Sequence, residues 1–195
     1  FDWGQDTLRA HMKELHHAVL GANVRYADER TVPWIRGDTI VMRGGVAIGI
    51  VGVASPLTPR TTMASNVADL RFLDPAPVIN EHARSLRARG AKVIVVIAHD
   101  GAFCNGRGAA QTCAGEIIRL AQGITEKVDA IVSGHTHSLL NTEVNGIPVV
   151  QARSSGRAIA VVDIPLDATG RASGAAHGWV REIGSDTLPA DAELD

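Results

Sequence analysis

The chain has 195 residues, 45% hydrophobic and 21% charged, with a net charge of −2. That suffices for one domain with a sizeable core and matches an ordinary globular composition. No basic stripe is present, which argues against nucleic acid held through its backbone. No apolar run nears the roughly 18 residues of a membrane helix; the longest, Val93 to Ala98, is six. The chain starts on Phe1 with no leader-like segment, and reads as cut from a longer protein.

In chain order, Asp6 to Val19 reads as a helix, with Leu8, Met12, Leu15 and Val19 at helical spacing and Gly21 as its stop. Ala22 to Tyr26 is a short strand, followed by a polar loop to Asp38. Thr39 to Arg43 and Val46 to Ala54 flank Gly44-Gly45 and predict a hairpin. Ser55 to Asp74 is irregular. Pro75 to Arg89 reads as a helix capped by Asp74 and stopped by Gly90. Lys92 to Ala98 is a continuous β-branched run, as in a strand buried on both faces. Asp100 to Gln111 is a Gly-rich loop, Thr112 to Lys127 a helix and Ala130 to Ser133 a buried strand. Asn145-Gly146 marks a hairpin within Glu143 to Gln151. Ala158 to Ile164 and Ala175 to Ile183 complete the strands, and residues 185–195 read as the start of a linker. The alternation implies α/β layers around a largely buried sheet, with residues 1–184 as one domain.

Two segments share one design. A buried strand runs into His99, and another into Ser133-Gly134-His135-Thr136-His137. Ligand sites of open α/β sheets lie beyond the carboxyl ends of strands, so three imidazoles delivered there can meet at a metal. His11, His16, His17, His82 and His177 have no such placement and read as ordinary surface or core residues. No second cluster of Asp and His stands at comparable strand ends, and carboxylates are what a phosphoester-cleaving pair of metals commonly needs. Cys104 and Cys113 are spaced for a disulfide closing a small loop, or for two reduced thiols in a loop and a helix start.

Gly134-His135-Thr136-His137 after an apolar strand, with His99-Asp100-Gly101 upstream, resembles the calcineurin-like metallophosphoesterase superfamily. Phe1-Asp2-Trp3-Gly4, Ala22-Asn23-Val24, and Val149-Val150-Gln151-Ala152 followed by Ser154-Ser155-Gly156-Arg157 narrow it to the bacterial 5'-nucleotidase and UDP-sugar hydrolase family. The resemblance implies a layered α/β/β/α sandwich lacking its N-terminal strands. It also implies two divalent metals, Zn or Mn, with His99 and His135 on one ion and His137 on the other. Asp2 matches the acid that orients the family's catalytic histidine, and that histidine lies in a motif not found here. The family's other motifs, D-x-H, Gly-Asp and Gly-Asn-His-Glu, are absent, as is a C-terminal substrate-binding domain.

The expected parent activity is hydrolysis of nucleotide phosphoesters in the periplasm or outside the cell. Two rivals stand beside it: a non-catalytic fragment binding at most one metal weakly, and a thiosulfate-type hydrolase of the same superfamily. Asn23, Arg153 and Arg157 are candidate substrate contacts, set against plainer roles as a polar loop residue and solvated charges. With first strands missing, Val93 to Ala98 and Ala130 to Ser133 are expected to lose a hydrogen-bonding neighbour, leaving an aggregation-prone edge.

Overall fold

A computed structural model describes residues 1–105 and 111–184. The linker assigned to 185–195 lies outside these residues.

The chain is organised on one six-stranded sheet built from β2 (Asp38–Arg43), β3 (Val46–Val53), β5 (Val93–Ala98), β8 (Ala130–Val132), β9 (Leu139–Val144) and β10 (Ile147–Ala152). Its order is β2-β3-β5-β8-β10-β9. The four inner strands run parallel, and β2 and β9 fold back antiparallel at the two edges. Gly44-Gly45 turns β2 into β3 and Asn145-Gly146 turns β9 into β10, all four residues at positive φ. These are the residues whose backbone tolerates that conformation.

Register decides which face each residue takes. Val51, Val96, Ile131 and Val149 point to one face and are fully buried. That face is covered by α3 (Pro75–Ala88) and α4 (Glu116–Gln122), through Ile79, Ala83 and Leu86 of α3 and Ile117, Leu120 and Ala121 of α4. Asp74 caps α3 by accepting from the Ala76 amide, with Pro75 at the first position as the sequence indicated. Asp129 anchors the far end of the layer, taking hydrogen bonds from Arg87 Nη2 and the Ile94 amide, each at 2.7 Å.

The opposite face carries the hairpin of β11 (Ala158–Asp163) and β12 (His177–Glu182) over β10 and β9. A Cβ at Gly178 would press into Val150 and Asn141, so the absent side chain is what allows this approach. Beyond the hairpin the face is open, and Ile97 and Val132 remain 40% and 41% exposed.

Several expectations are corrected. Val93 to Ala98 pairs with both β3 and β8, and Ala130 to Val132 with both β5 and β10, so neither lacks a neighbour. The first helix, α1, spans only Gln5–Met12 and buries no residue, so its apolar stripe had nothing to hold the next turns. Between β3 and α3 lie a short helix, α2 (Thr58–Thr61), a 3-10 turn and the strand β4 (Leu70–Phe72). β4 pairs with β1 (Val24–Tyr26), a pairing hidden in three residues of alternation. Thr112 to Gly115 is not a helix start but β7, paired with β6 (Ala102–Asn105), and the disulfide Cys104–Cys113 joins directly opposed residues.

Candidate active site

Because the inner strands are parallel, their carboxyl ends gather at one edge. Ala54 and Ser55 follow β3 there, His99 follows β5, the Ser133 to Ser138 loop follows β8, and Arg153 follows β10. A cavity of about 410 Å³ opens at this edge, lined among others by Asp2, Ser55, Thr58, His99 and His135.

His99 and His135 meet edge to face with ring centroids 5.1 Å apart. The basicity of His99 is lowered, first by burial and then by His135 and His137 nearby, against the opposing pull of Asp100 and Asp2. A neutral ring nitrogen with a lone pair is the form that accepts protons or binds metals. All four residues therefore share one electrostatic neighbourhood with His99. His137 is exposed and does not line the cavity.

The loop carrying the two histidines is strained. His135 and His137 have φ of 72° and 55°. A left-handed backbone costs a non-glycine residue about 1–3 kcal/mol and persists only where its surroundings impose it. Those surroundings include Gly101, where any Cβ would collide with the Thr136 hydroxyl, the Gly134 carbonyl and Gln151 Oε1. The Gly134 amide donates to the Asp100 carbonyl at 3.1 Å, so the two histidine-bearing segments lie backbone against backbone.

Asp100 itself does not line this cavity and is almost wholly buried, with Oδ1 lacking a hydrogen-bond partner among the described residues. Burial raises its pKa, against a hydrogen bond from Ser55.

The remaining sequence candidates fall elsewhere. Asn23 is fully buried and its carboxamide is spent on backbone: Nδ2 donates to the Ala54 and Leu73 carbonyls at 2.8 and 3.0 Å, and Oδ1 accepts from the Ala54 amide at 2.9 Å. It fixes the chain beside the cavity and keeps no donor for a ligand. Arg153 pairs with Glu182 at 2.6 Å, and Arg157 folds onto the Ser154 carbonyl and hydroxyl. The sequence reading missed Ser133, Thr136 and Ser138, half-buried, and the buried Gln151 as a hydrogen-bonded polar set behind the loop. Gln151 closing the otherwise apolar run Ile147 to Val150 was the available signal, since a polar side chain there must find partners.

Among the described residues no group of three or more His, Cys, Asp or Glu closes a metal site by itself. The donors present fit a divalent ion in kind: a neutral imidazole beside a second, with a carboxylate on the same cavity.

No family model matches the chain. It is 34% identical over 137 residues to Endonuclease YhcR of Bacillus subtilis, covering 70% of this chain and 11% of that protein. The trifunctional nucleotide phosphoesterase protein YfkN of the same organism is 28% identical over 188 residues, covering 86% and 13%. The crystal structure of that calcineurin-like phosphoesterase superposes with a TM-score of 0.79 over 97% of this chain and 63% of the crystallised one, at 24% identity. A 5'-nucleotidase precursor from Thermus thermophilus superposes with a TM-score of 0.72 at 25% identity, over 97% of this chain and 38% of its own. The chain thus spans little more than a tenth of the length of these two curated relatives from Bacillus subtilis.

Proposed function

This chain belongs to the 5'-nucleotidase-like metallophosphoesterases, and from that premise we propose that the protein containing it hydrolyses phosphoesters of nucleotides with the help of divalent metal ions. The observation that carries this reading is the convergence of His99 and His135 at the carboxyl ends of adjacent parallel strands, in a cavity that Asp2 also lines. Three relatives support the substrate class by their names: a trifunctional nucleotide phosphoesterase, a probable 5'-nucleotidase and an apyrase.

In this reading His99 and His135 are ligands of one ion and His137, on the outer side of the loop, is a ligand of a second; Zn and Mn are the candidate metals. The bound ions supply Lewis acidity toward the phosphoryl oxygens. The chain's own work is narrower. Burial, with His135 beside it, lowers the basicity of His99 and so favours the form whose lone pair is free. Asp2 holds a carboxylate at the cavity wall, where it orients a protonated or hydrogen-bonding partner. The cavity, lined also by Thr58 and Thr61, is where the ester would bind. The further donors of a two-metal centre are not among the described residues. Residues 1–184 form part of the catalytic domain, with a substrate-binding domain and residues 185–195 as linker outside it. The disulfide supports a periplasmic or extracellular location.

The test is hydrolysis by the full-length protein, followed as phosphate from AMP, as nucleoside monophosphate from a cyclic nucleotide and as UMP from a UDP-sugar, with a thiosulfonate, followed as sulfate, included for the rival hydrolase. Activity on one of the nucleotides, removed by a chelator, restored by Zn or Mn and lost in His135→Ala and His99→Ala, is expected. A metal-loaded protein inert toward all three nucleotides sinks the reading, and turnover of the thiosulfonate alone establishes the rival.

A further inference from the structure

We infer that Gln151 is a positioning residue for the histidine-bearing loop, acting through Thr136 and the Ala102 carbonyl to hold His135 against His99. The inference rests on the reading above for its functional meaning, and on this structure for its geometry.

Gln151 is the penultimate residue of β10, directly behind the loop, and is 1% exposed. Its Nε2 donates to the Ser138 carbonyl and to the Thr136 hydroxyl, both at 3.0 Å. Its Oε1 accepts from the Ser133 hydroxyl at 3.4 Å. The Thr136 hydroxyl donates onward to the Ala102 carbonyl at 3.2 Å, and the Ser138 hydroxyl donates to that same carbonyl at 2.6 Å. Ser133, Thr136 and Ser138 therefore face Gln151, which leaves His135 and His137 to the other side. Ala102 lies three residues past His99, so the network joins the two histidine-bearing segments through side chains.

This supplies what a strained loop needs. Two non-glycine residues at positive φ relax unless several contacts agree on their geometry. One carboxamide meets the loop at Ser133, Thr136 and Ser138, on both sides of His135. Supporting groups behind metal-binding imidazoles commonly change metal affinity by about 10–100-fold when removed.

A merely structural glutamine would lower stability without acting on the site in particular, and four variants of the full-length protein separate the cases. Gln151→Met keeps the volume and removes the hydrogen bonds. Thr136→Val removes the hydroxyl and Thr136→Ser restores it. Val149→Ala damages the same strand on its helix-facing side. Co²⁺ and Zn²⁺ affinity, thermal unfolding, and amide hydrogen exchange over 133–138 are measured for each. Gln151→Met and Thr136→Val are expected to weaken Co²⁺ binding by about 10–100-fold and to speed exchange in the loop, with Thr136→Ser near the parent in both. Val149→Ala is expected to melt earlier with affinity and loop exchange unchanged.

The inference is overturned if affinity tracks melting temperature alike in all variants, or if loop exchange does not respond to Gln151→Met. Should Gln151→Met fail to fold, the Thr136 pair decides alone. Should the parent bind neither ion, the metal reading fails while the exchange measurements still decide the positioning role.

Discussion

His99 leaves β5 on a backbone paired on both sides, its own amide donating to the Val53 carbonyl at 3.1 Å. His135 leaves β8, a strand of three residues, on a loop whose backbone is left-handed at both histidines. The first histidine is placed by the sheet ladder, and the second by hydroxyls and a carboxamide packed behind it. Main-chain pairing is insensitive to side-chain identity, whereas the loop depends on four particular polar residues. Substitutions in the two regions should therefore fail differently, one through global stability and the other through the site.

The largest effect sharpens that contrast from the ladder side. Ile94→Ala, at a fully buried position of β5 facing the helices, is expected to cost about 4 kcal/mol in denaturant unfolding. The surviving folded fraction should keep its metal affinity. Gly101→Ala strikes where the two segments touch and is expected to cost about 3 kcal/mol by overpacking. Unlike Ile94→Ala, it should abolish metal binding in whatever remains folded, because the added methyl drives the segments apart. If Gly101→Ala binds Co²⁺ normally, the close approach of the segments is irrelevant to the site.

Removing the Cys104–Cys113 disulfide comes next. A pair of Ser substitutions is expected to lower stability by about 2 kcal/mol in the loop-entropy account. Hydrogen exchange should quicken at Ala102 and then in the loop that leans on it, before it does so at Val93 to Ala98. Equal protection loss in both regions would erase the proposed distinction.

The smallest effect lies away from both segments. Asp38 accepts from Arg89 Nη2 and pairs with His82 Nδ1, each at 2.5 Å. Burial pushes its pKa up, but these two partners outweigh burial and hold it below the usual carboxylate range. A depressed acid stabilises the fold above its unfolded value of about 3.9 and loses that contribution as pH falls through the folded value. The parent should exceed Asp38→Asn by about 1 kcal/mol at neutral pH. That gap should close below about pH 4 in acid titrations of unfolding, with the metal site untouched at neutral pH.

Much of the ladder was legible beforehand. Pro75 after Asp74, Asn145-Gly146, and the β-branched run from Val93 act through local backbone preference, and each appears where the sequence placed it. The histidines at strand ends were legible for the same reason. What escaped was set by partners distant in sequence. Thr112 to Gly115 carries no alternation of its own and is a strand because it faces β6, with Cys113 bonded to Cys104. Lys13 to Val19 continues a helical spacing but finds no surface to bury it. Asn23 looked like a ligand contact until its bonds to Ala54 and Leu73, 31 and 50 residues away, accounted for its donors. Hydrogen-bond networks of this kind leave no periodic trace in a sequence.

The cavity walls come from Asp2, Ser55, His99 and His135, with Gln151 behind them, and so from almost the whole described length of the chain. On a ribosome that emits the chain from its amino end, His99 emerges long before the side chain that fixes its partner's loop. Until β10 is out, the growing chain carries an unbraced pair of imidazoles and an unfinished sheet edge. The order of the two imidazoles is thus tied to the last inner strand to arrive, and a chain arrested earlier in translation would present them on an unbraced loop.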